Sequence, residues 1–185
     1  MLHTFVVYVD NKPGVLNRVA SLCRRRGFNI ESLTVGHTET PGISRMTVVV
    51  DTDEYGARRL EAHLHKLVPV RRVDDLTTTP GISRDLALIK VAATGEARTH
   101  VMQLVDVYRA RIVDVSPESM VIETTGTEDK IDSLLEVLRP YGVIEMVRTG
   151  RVSMARGTVP PRRFASRTRP SPASEISGDV SSCSV

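Results

Sequence analysis

The pattern of hydrophobic positions in residues 4–76 predicts alternating strands and helices. A continuous β-branched and aromatic run at Thr4–Val9 predicts a central strand. A turn-rich segment at Asp10–Gly14 follows, and a helix is predicted to begin near Pro13. Apolar side chains at helical spacing form one face of that helix, namely Leu16, Val19, Ala20 and Cys23. The remaining elements of this part are strands at 29–35 and 44–50, a helix at 54–67 and a strand at 70–76.

The same order of elements begins again after a linker at 77–81. The predicted elements are a strand at 86–92, a helix at 97–108, a hairpin of strands at 111–115 and 119–124, a helix at 128–138 and a strand at 143–147. This internal repeat predicts an α+β protein with two ferredoxin-like (βαββαβ) domains, at residues 1–77 and 84–157. From about Gly157 the apolar periodicity stops and Pro, Ser and Arg dominate, which predicts a disordered tail at 158–185.

Charge is distributed unevenly between the body of the chain and its tail. The formal net charge is +3, but residues 151–185 hold six arginines against two acidic residues, which leaves 19 basic and 20 acidic residues in 1–150. The body therefore has no positive excess that would attract a nucleic-acid backbone. No apolar run is long enough to span a membrane, and the N-terminus begins directly with a strand-like segment. We expect a cytoplasmic protein that does not bind nucleic acid.

The loop before the first helix carries the candidate chemistry for binding a free amino acid. A carboxylate is best held by backbone N–H groups at a helix N-terminus, and a glycine there lets a ligand approach the backbone closely. Gly14 meets the second requirement, and the N–H groups of Val15 and Leu16 are expected to lack intrahelical partners. The Val15 and Leu16 side chains could line an aliphatic pocket, while Asn11 and Asn29 offer amides. A simple turn and helix cap explains the same residues, so this pattern alone leaves both interpretations open.

Other reactive side chains do not form a recognisable catalytic or metal-binding group. Cys23 lies on the predicted apolar face of the first helix, which favours a core position over a nucleophile. His63 and His65 are two positions apart on a predicted helix and therefore point in different directions. The sequence also contains neither a Gly-x-Gly-x-x-Gly motif nor a Walker-type loop. Catalysis by this chain alone is not expected.

Longer motifs resemble a known family. Residues 10–16, followed by Arg25–Val35 (RRGFNIESLTV), resemble the ACT-domain start of acetohydroxyacid (acetolactate) synthase small subunits. Further segments similar to that family are Ser44–Thr47, His65–Val68, Arg111–Val115, Arg148–Gly150 and Arg156–Gly157. The resemblance covers about residues 1–157, and the tail is not part of the family pattern.

The resemblance implies a regulatory, non-catalytic subunit that binds a branched-chain amino acid, most simply valine. ACT domains of two chains would pair side by side as a homodimer, with the effector at their interface. One chain would contribute Asn11, Gly14, Val15 and Leu16, and the other would contribute Asn29 and Ile30. The subunit would activate and feedback-inhibit a separate catalytic subunit that carries thiamine diphosphate, magnesium and FAD. No cofactor is expected in this chain, and the choice among valine, leucine and isoleucine stays open.

Two other functions fit parts of the sequence. One is a stand-alone ACT-domain amino-acid sensor without an enzyme partner, although no helix-turn-helix signal accompanies the domains. The other is an RNA-binding module, because RNA recognition motifs share the βαββαβ topology and stack bases on sheet aromatics. The predicted central strand offers little beyond Phe5 and Tyr8 for stacking, which argues against RNA.

Overall fold

The computed structural model describes residues 1–157, so the predicted disordered tail at 158–185 lies outside the described residues. The first unit consists of β1 (Leu2–Asp10), α1 (Val15–Arg25), β2 (Ile30–His37), β3 (Ile43–Asp51), α2 (Glu54–His65) and β4 (Val70–Asp75). Its antiparallel sheet has the order β2-β3-β1-β4, and both helices contribute to a single core on one face of that sheet. The predicted ferredoxin-like order is therefore confirmed for this unit.

The second unit repeats this topology and adds one strand. It consists of β5 (Gly81–Ala92), α3 (Gly95–Val107), β6 (Arg111–Val115), β7 (Ser119–Gly126), α4 (Glu128–Leu138), β8 (Val143–Arg148) and β9 (Val152–Ala155). The main sheet has the order β6-β7-β5-β8, and β9 pairs with the beginning of β5. The strand β9 was not predicted, and β5 begins five residues before its predicted start at Leu86. Both differences arise because Gly81–Arg84 carries little apolar signal and is held as a strand by its pairing with β9.

The helix α1 buries a face slightly different from the predicted one. Its buried residues are Val15, Val19, Leu22 and Cys23, whereas Leu16 is 43% exposed and Ala20 is half-buried. The helix begins at Val15 because Gly14 adopts a left-handed backbone, with φ of 80°, and acts as the N-cap. Helical spacing alone fits both faces, since they share Val19 and Cys23. Packing against the sheet selects the face that contains Val15.

The cores of the two units follow the predicted helix faces closely. In α2, Leu60 and Leu64 are fully buried, and the Asp53 carboxylate caps the helix by accepting a hydrogen bond from the Gly56 N–H at 2.7 Å. The predicted residues that are buried in the second core are Val101, Val105, Ile131, Leu134 and Leu138. The predicted residues that pack only at the edges of the two cores are Leu67, Leu104, Tyr108 and Leu135.

A two-stranded arm, formed by Gly81–Arg84 and Val152–Ala155, lies against the helix-free face of the first sheet. The Arg45 guanidinium on that face donates a hydrogen bond to the Ser153 carbonyl. Side chains of this face are buried although no helix covers them, with exposures of 1% for Val6, 2% for Thr47 and 1% for Val49. The arm therefore joins the second unit to the first through the face opposite the helices.

Candidate functional site

The mouth of α1 is formed by the loop at 11–14 and the first turn of the helix. Because Gly14 has a positive φ, a glycine is favoured there over any residue with a side chain. A Cβ atom on Gly14 would meet no atom within 4 Å, so the space in front of the helix is open. The first turn contains no acidic residue and the cap makes no side-chain hydrogen bond. The positive end of the helix dipole is therefore left uncompensated by the helix itself.

The N–H groups of this first turn differ from the prediction in one respect. The Val15 N–H, expected to be free, donates a long hydrogen bond of 3.4 Å to the Lys12 carbonyl in the preceding loop. Among residues 1–157, no acceptor contacts the N–H groups of Leu16 and Asn17. The Val15 side chain is only 6% exposed and belongs to the core, whereas the Leu16 side chain is accessible. The groups available at the mouth are thus two backbone donors and the Leu16 side chain.

Asn11 lies at the end of the sheet where β1 and β2 both finish. Its Nδ2 atom is 3.4 Å from Nδ1 of His37, the last residue of β2. Next to it, the Asp10 carboxylate accepts a hydrogen bond of 2.6 Å from Nε of Arg71. That hydrogen bond is the main reason that the pKa of Asp10 lies below its usual value; burial opposes it, and the charges of Arg71 and Lys12 add to it. Asp10 is therefore an ionised partner of Arg71, and Asn11 provides an exposed neutral amide.

Asn29 and Ile30 lie at the opposite end of the sheet from the α1 mouth. The strands β1 and β2 run in the same direction, because each pairs antiparallel with β3. The start of β2 is therefore separated from the α1 mouth by the length of the strand, roughly 25 Å. Asn29 is exposed and donates a hydrogen bond of 2.5 Å to the Glu31 carboxylate, whereas Ile30 packs against the core. Within one chain the six predicted residues form two separate groups, one at each end of β2.

In the second unit, the corresponding mouth of α3 carries charged side chains. Glu96 lies in the first turn of α3, two residues after the N-cap, which is the position of Leu16 in α1. Arg98 donates hydrogen bonds to the Ala93 carbonyl and to the carbonyls of the hairpin turn at 116–117. The Glu96 carboxylate already compensates the helix dipole. A Cβ atom on Gly95, the first residue of α3, would meet no atom within 4 Å, so the two mouths differ in the charge of the first turn and not in room.

Cys23 is confirmed as a core residue. It is 1% exposed, and burial raises the pKa of its thiol, which opposes formation of a nucleophilic thiolate. Within the part of the chain that the structure describes, no three His, Cys, Asp or Glu side chains are grouped so that they could hold a metal ion. None of the helices in that same part is long and apolar enough to cross a bilayer.

Sequence reasoning missed two cavities where the units meet. One has a volume of about 620 Å³ and includes Tyr8, whose ring centre lies 5.8 Å from the Arg45 guanidinium carbon and 5.3 Å from that of Arg72. The other has a volume of about 440 Å³ and lies between Ser32 of β2 and Arg151 near β9. Their walls come from segments far apart in the sequence, so no local pattern could have revealed either cavity.

Comparison with known proteins divides the chain in the same way as its internal repeat. The family model of the AHAS small subunit-like ACT domain matches residues 5–72, and that of the small subunit of acetolactate synthase matches residues 84–157. The crystal structure of the acetolactate synthase small subunit from Thermotoga maritima is 41% identical, with a TM-score of 0.79, and the match covers 86% of this chain and 99% of that one.

Curated relatives match over nearly their whole length. A probable acetolactate synthase small subunit from Archaeoglobus fulgidus is 50% identical over 157 residues, which are 85% of this chain and 98% of the relative. The acetolactate synthase small subunit of Mycolicibacterium smegmatis is 47% identical over 155 residues, which are 84% of this chain and 91% of the relative. Identity this high over both units, together with the two family models, means that the chain belongs to the acetolactate synthase small-subunit family.

Proposed function

We propose that this chain is a regulatory, non-catalytic subunit that binds valine, or another branched-chain amino acid, between the first units of two copies. Bound effector would feedback-inhibit a separate catalytic subunit, which the small subunit otherwise activates. The observation that carries this proposal is the open, uncompensated mouth of α1. Membership of the family supports the existence of the catalytic partner, where thiamine diphosphate, magnesium and FAD would reside.

The groups at the α1 mouth match the chemistry of a small zwitterion. The ligand carboxylate would accept hydrogen bonds from the Leu16 and Asn17 N–H groups at the positive end of the helix. The amide oxygen of Asn11 or Asn29 would accept a hydrogen bond from the ligand ammonium. An aliphatic ligand side chain would pack against Leu16, which is 43% exposed in the single chain.

A pairing of two chains through β2 would complete the site. The strand β2 lies at the edge of the first sheet, and no other strand within residues 1–157 pairs with its outer side. If two copies pair antiparallel along this edge, the start of one β2 lies beside the end of the other. Asn29 and Ile30 of one chain then approach Asn11 and the α1 mouth of the second chain. This arrangement would bring together the two groups of residues that a single chain holds roughly 25 Å apart.

The second unit lacks the features that this binding mode requires. The Glu96 carboxylate in the first turn of α3 would repel a ligand carboxylate, and the Arg98 guanidinium is already engaged by the carbonyls of Ala93 and of the turn at 116–117. One effector site per first unit is therefore expected, and none at the α3 mouth.

Titration of the full chain with valine, leucine and isoleucine in a calorimeter tests the binding step. Ultracentrifugation with and without the tightest ligand tests whether it favours the dimer. Activity of a catalytic subunit, measured with and without this chain, then tests regulation; the coupling between effector and activity should be about 1–3 kcal/mol. Absence of heat for all three amino acids would refute the binding proposal, and an unchanged activity on adding this chain would favour a stand-alone sensor.

Asn29→Ala is the sharpest variant for the assigned site. Loss of hydrogen bonds to a charged ligand should cost about 1.5–3 kcal/mol, which lowers valine affinity about 10- to 100-fold. Gln103→Ala removes an exposed amide from α3 and serves as the control that should keep the affinity of the unaltered chain. Equal valine affinity in Asn29→Ala and the unaltered chain would show that the site lies elsewhere.

A further inference from the structure

The segment that links β8 to β9, residues 148–151, also contacts the first unit, and we call it the interunit bridge. A Cβ atom on Gly150 would lie 2.6 Å from the Leu33 carbonyl oxygen and 2.6 Å from Oγ1 of Thr34. Real Cβ atoms do not approach a backbone that closely, so the bridge can pass over β2 only with a glycine at this position. The Arg151 N–H then donates a hydrogen bond of 2.8 Å to Oγ of Ser32.

The position of the bridge on β2 follows from the register of the first sheet. Ser32 pairs with Val49 and Thr34 pairs with Thr47, and both of these β3 residues lie on the helix-free face. The bridge therefore packs on the helix-free face of β2, where the Ser32 and Thr34 side chains lie. The same strand carries the proposed effector residue Ile30 and directly follows Asn29.

Ion pairs hold the other side of the bridge to the second unit. The Arg151 guanidinium is 2.7 Å from the Glu128 carboxylate at the start of α4. The Arg148 guanidinium is 2.7 Å from the buried Asp85 carboxylate of β5 and 3.0 Å from that of Asp132 in α4. Desolvation lowers the pKa of Arg148, but the hydrogen bonds and charge of Asp85 and the nearby acids outweigh it and raise that pKa. The bridge is thus fixed to both β5 and α4.

The interunit bridge has free space beside it, but none between it and β2. The cavity of about 440 Å³ lies beside the bridge and is lined by Ser32, Arg148 and Arg151. The buried Oγ1 atom of Thr34 has no hydrogen-bond partner within residues 1–157, so the local packing is incompletely satisfied. Gly150 lies so close to the β2 backbone that no free space separates them. A shift of β2 toward the bridge must therefore displace the bridge, and the cavity gives it space to move.

We propose that the interunit bridge is the positioning element that transmits a shift of β2 to α4 and to the arm. The inference rests on the proposed function, because effector bound at the two ends of β2 supplies the shift. Gly150 acts through steric contact with the β2 backbone, and Ser32 acts through the hydrogen bond to Arg151. Neither residue would contact the effector itself.

Amide hydrogen exchange on the full chain without effector tests the mechanical connection. Gly150→Ala forces the bridge away from β2 and should speed exchange about tenfold in both 30–37 and 148–155, with α2 unchanged. Gly126→Ala is the matched control, because the three atoms nearest to its added Cβ all belong to the Lys130 side chain, and it should alter neither region. Unchanged exchange in 30–37 of folded Gly150→Ala would overturn the proposal.

Valine titration of the same proteins tests the regulatory role. Gly150→Ala should bind valine with an affinity within about threefold of the unaltered chain, yet the midpoint of valine inhibition in the reconstituted enzyme should rise about tenfold. Full inhibition at the original midpoint would overturn the proposal.

Ser32→Ala serves if Gly150→Ala fails to fold. It removes only the acceptor for Arg151 and should act in the same direction, and Ser32→Thr should restore the response. If the unaltered chain binds no valine, only the proposed function is refuted. The mechanical role of the bridge is tested separately by the exchange experiment, which contains no effector.

Discussion

The two units share one topology, yet the mouths of their first helices differ in the charge of the first turn. In the first unit, Gly14 leaves open space in front of α1, and no acid compensates the helix dipole. In the second unit, Glu96 supplies a negative charge in the first turn of α3, and Arg98 donates a hydrogen bond to the Ala93 carbonyl. The fold therefore provides a helix N-terminus in both units, but only the residues at the mouth decide whether a ligand can use it.

The helix-free faces of the two sheets also differ. The first face is covered by the arm and by the interunit bridge, so that Val6 and Val49 are each 1% exposed. The second face is open among the described residues, where Leu86, Leu88 and Val147 are 36%, 37% and 57% exposed. The first unit therefore depends on the second for part of its burial, and the proposed transmission through the interunit bridge would use this dependence.

Substitutions in the two cores are expected to have the largest effect on the free energy of unfolding, and this effect should be similar in both units. Leu60→Ala in the first and Leu134→Ala in the second each remove a side chain that is 0% exposed, and each should lower the free energy of unfolding by about 2–5 kcal/mol. Urea denaturation of the full chain measures both. Leu88→Ala, on the open face, should lower it by about 1 kcal/mol, because the side chain is 37% exposed and buries fewer methylene groups. A loss at Leu88 as large as that at Leu134 would mean that the second face is covered after all.

Removal of the Arg98 guanidinium should have the next largest effect on the free energy of unfolding. Arg98→Ala leaves the carbonyls of Ala93 and the turn at 116–117 without their charged donor, which should cost about 1.5–3 kcal/mol of unfolding free energy. It should not create a valine site, because Glu96 remains. Arg84→Ala, an exposed arginine of the arm, is the control for removing a guanidinium. Unfolding curves that coincide for Arg98→Ala and the unaltered chain would contradict the role of Arg98 in holding the Ala93 carbonyl and the turn at 116–117 together.

Placing an acid at the open mouth should separate stability from binding. Leu16→Glu copies Glu96 into α1 and should stabilise the helix by about 0.3–1 kcal/mol. The same carboxylate should repel the valine carboxylate and lower its affinity about tenfold or more. Leu16→Gln controls for the loss of the apolar side chain. If calorimetry finds the same valine affinity for the Glu and Gln variants, the ligand carboxylate does not lie at this helix end.

The smallest effect is expected from the ion pair beside the open mouth. Asp10 has a lowered pKa in the folded chain, so its stabilisation is present above its ordinary pKa near 3.8 and is lost as the pH falls through the lower folded value. Asp10→Asn should therefore cost about 1 kcal/mol at pH 7, and this difference should shrink as the pH falls below about 4. Urea denaturation between pH 7 and pH 3 checks it, with Glu145→Gln as an exposed control. A difference that stays constant with pH would contradict the pairing of Asp10 with Arg71.

Much of the fold was predictable from the sequence because its signals are local. Strand runs such as Thr4–Val9 and helix faces such as Leu60 and Leu64 depend on spacing alone, and the structure confirms them. The buried face of α1 was harder to predict, because Val15 and Leu16 both lie at helical spacing from Val19 and Cys23. The strand β9 was missed because its four residues gain their stability from pairing with β5.

The residues of the candidate site also divide into those that local sequence indicates and those that only the tertiary structure places. Local sequence was sufficient to indicate Gly14 and Asn11 at the start of a helix. The turn-forming residues are adjacent in the sequence, and Gly14 among them has no side chain. Tertiary structure decided that the Val15 side chain belongs to the core, that Arg98 bonds to the turn at 116–117, and that Gly150 crosses β2. These outcomes depend on which segments the two sheets bring into contact, and no spacing rule along one chain specifies a contact between residues so far apart.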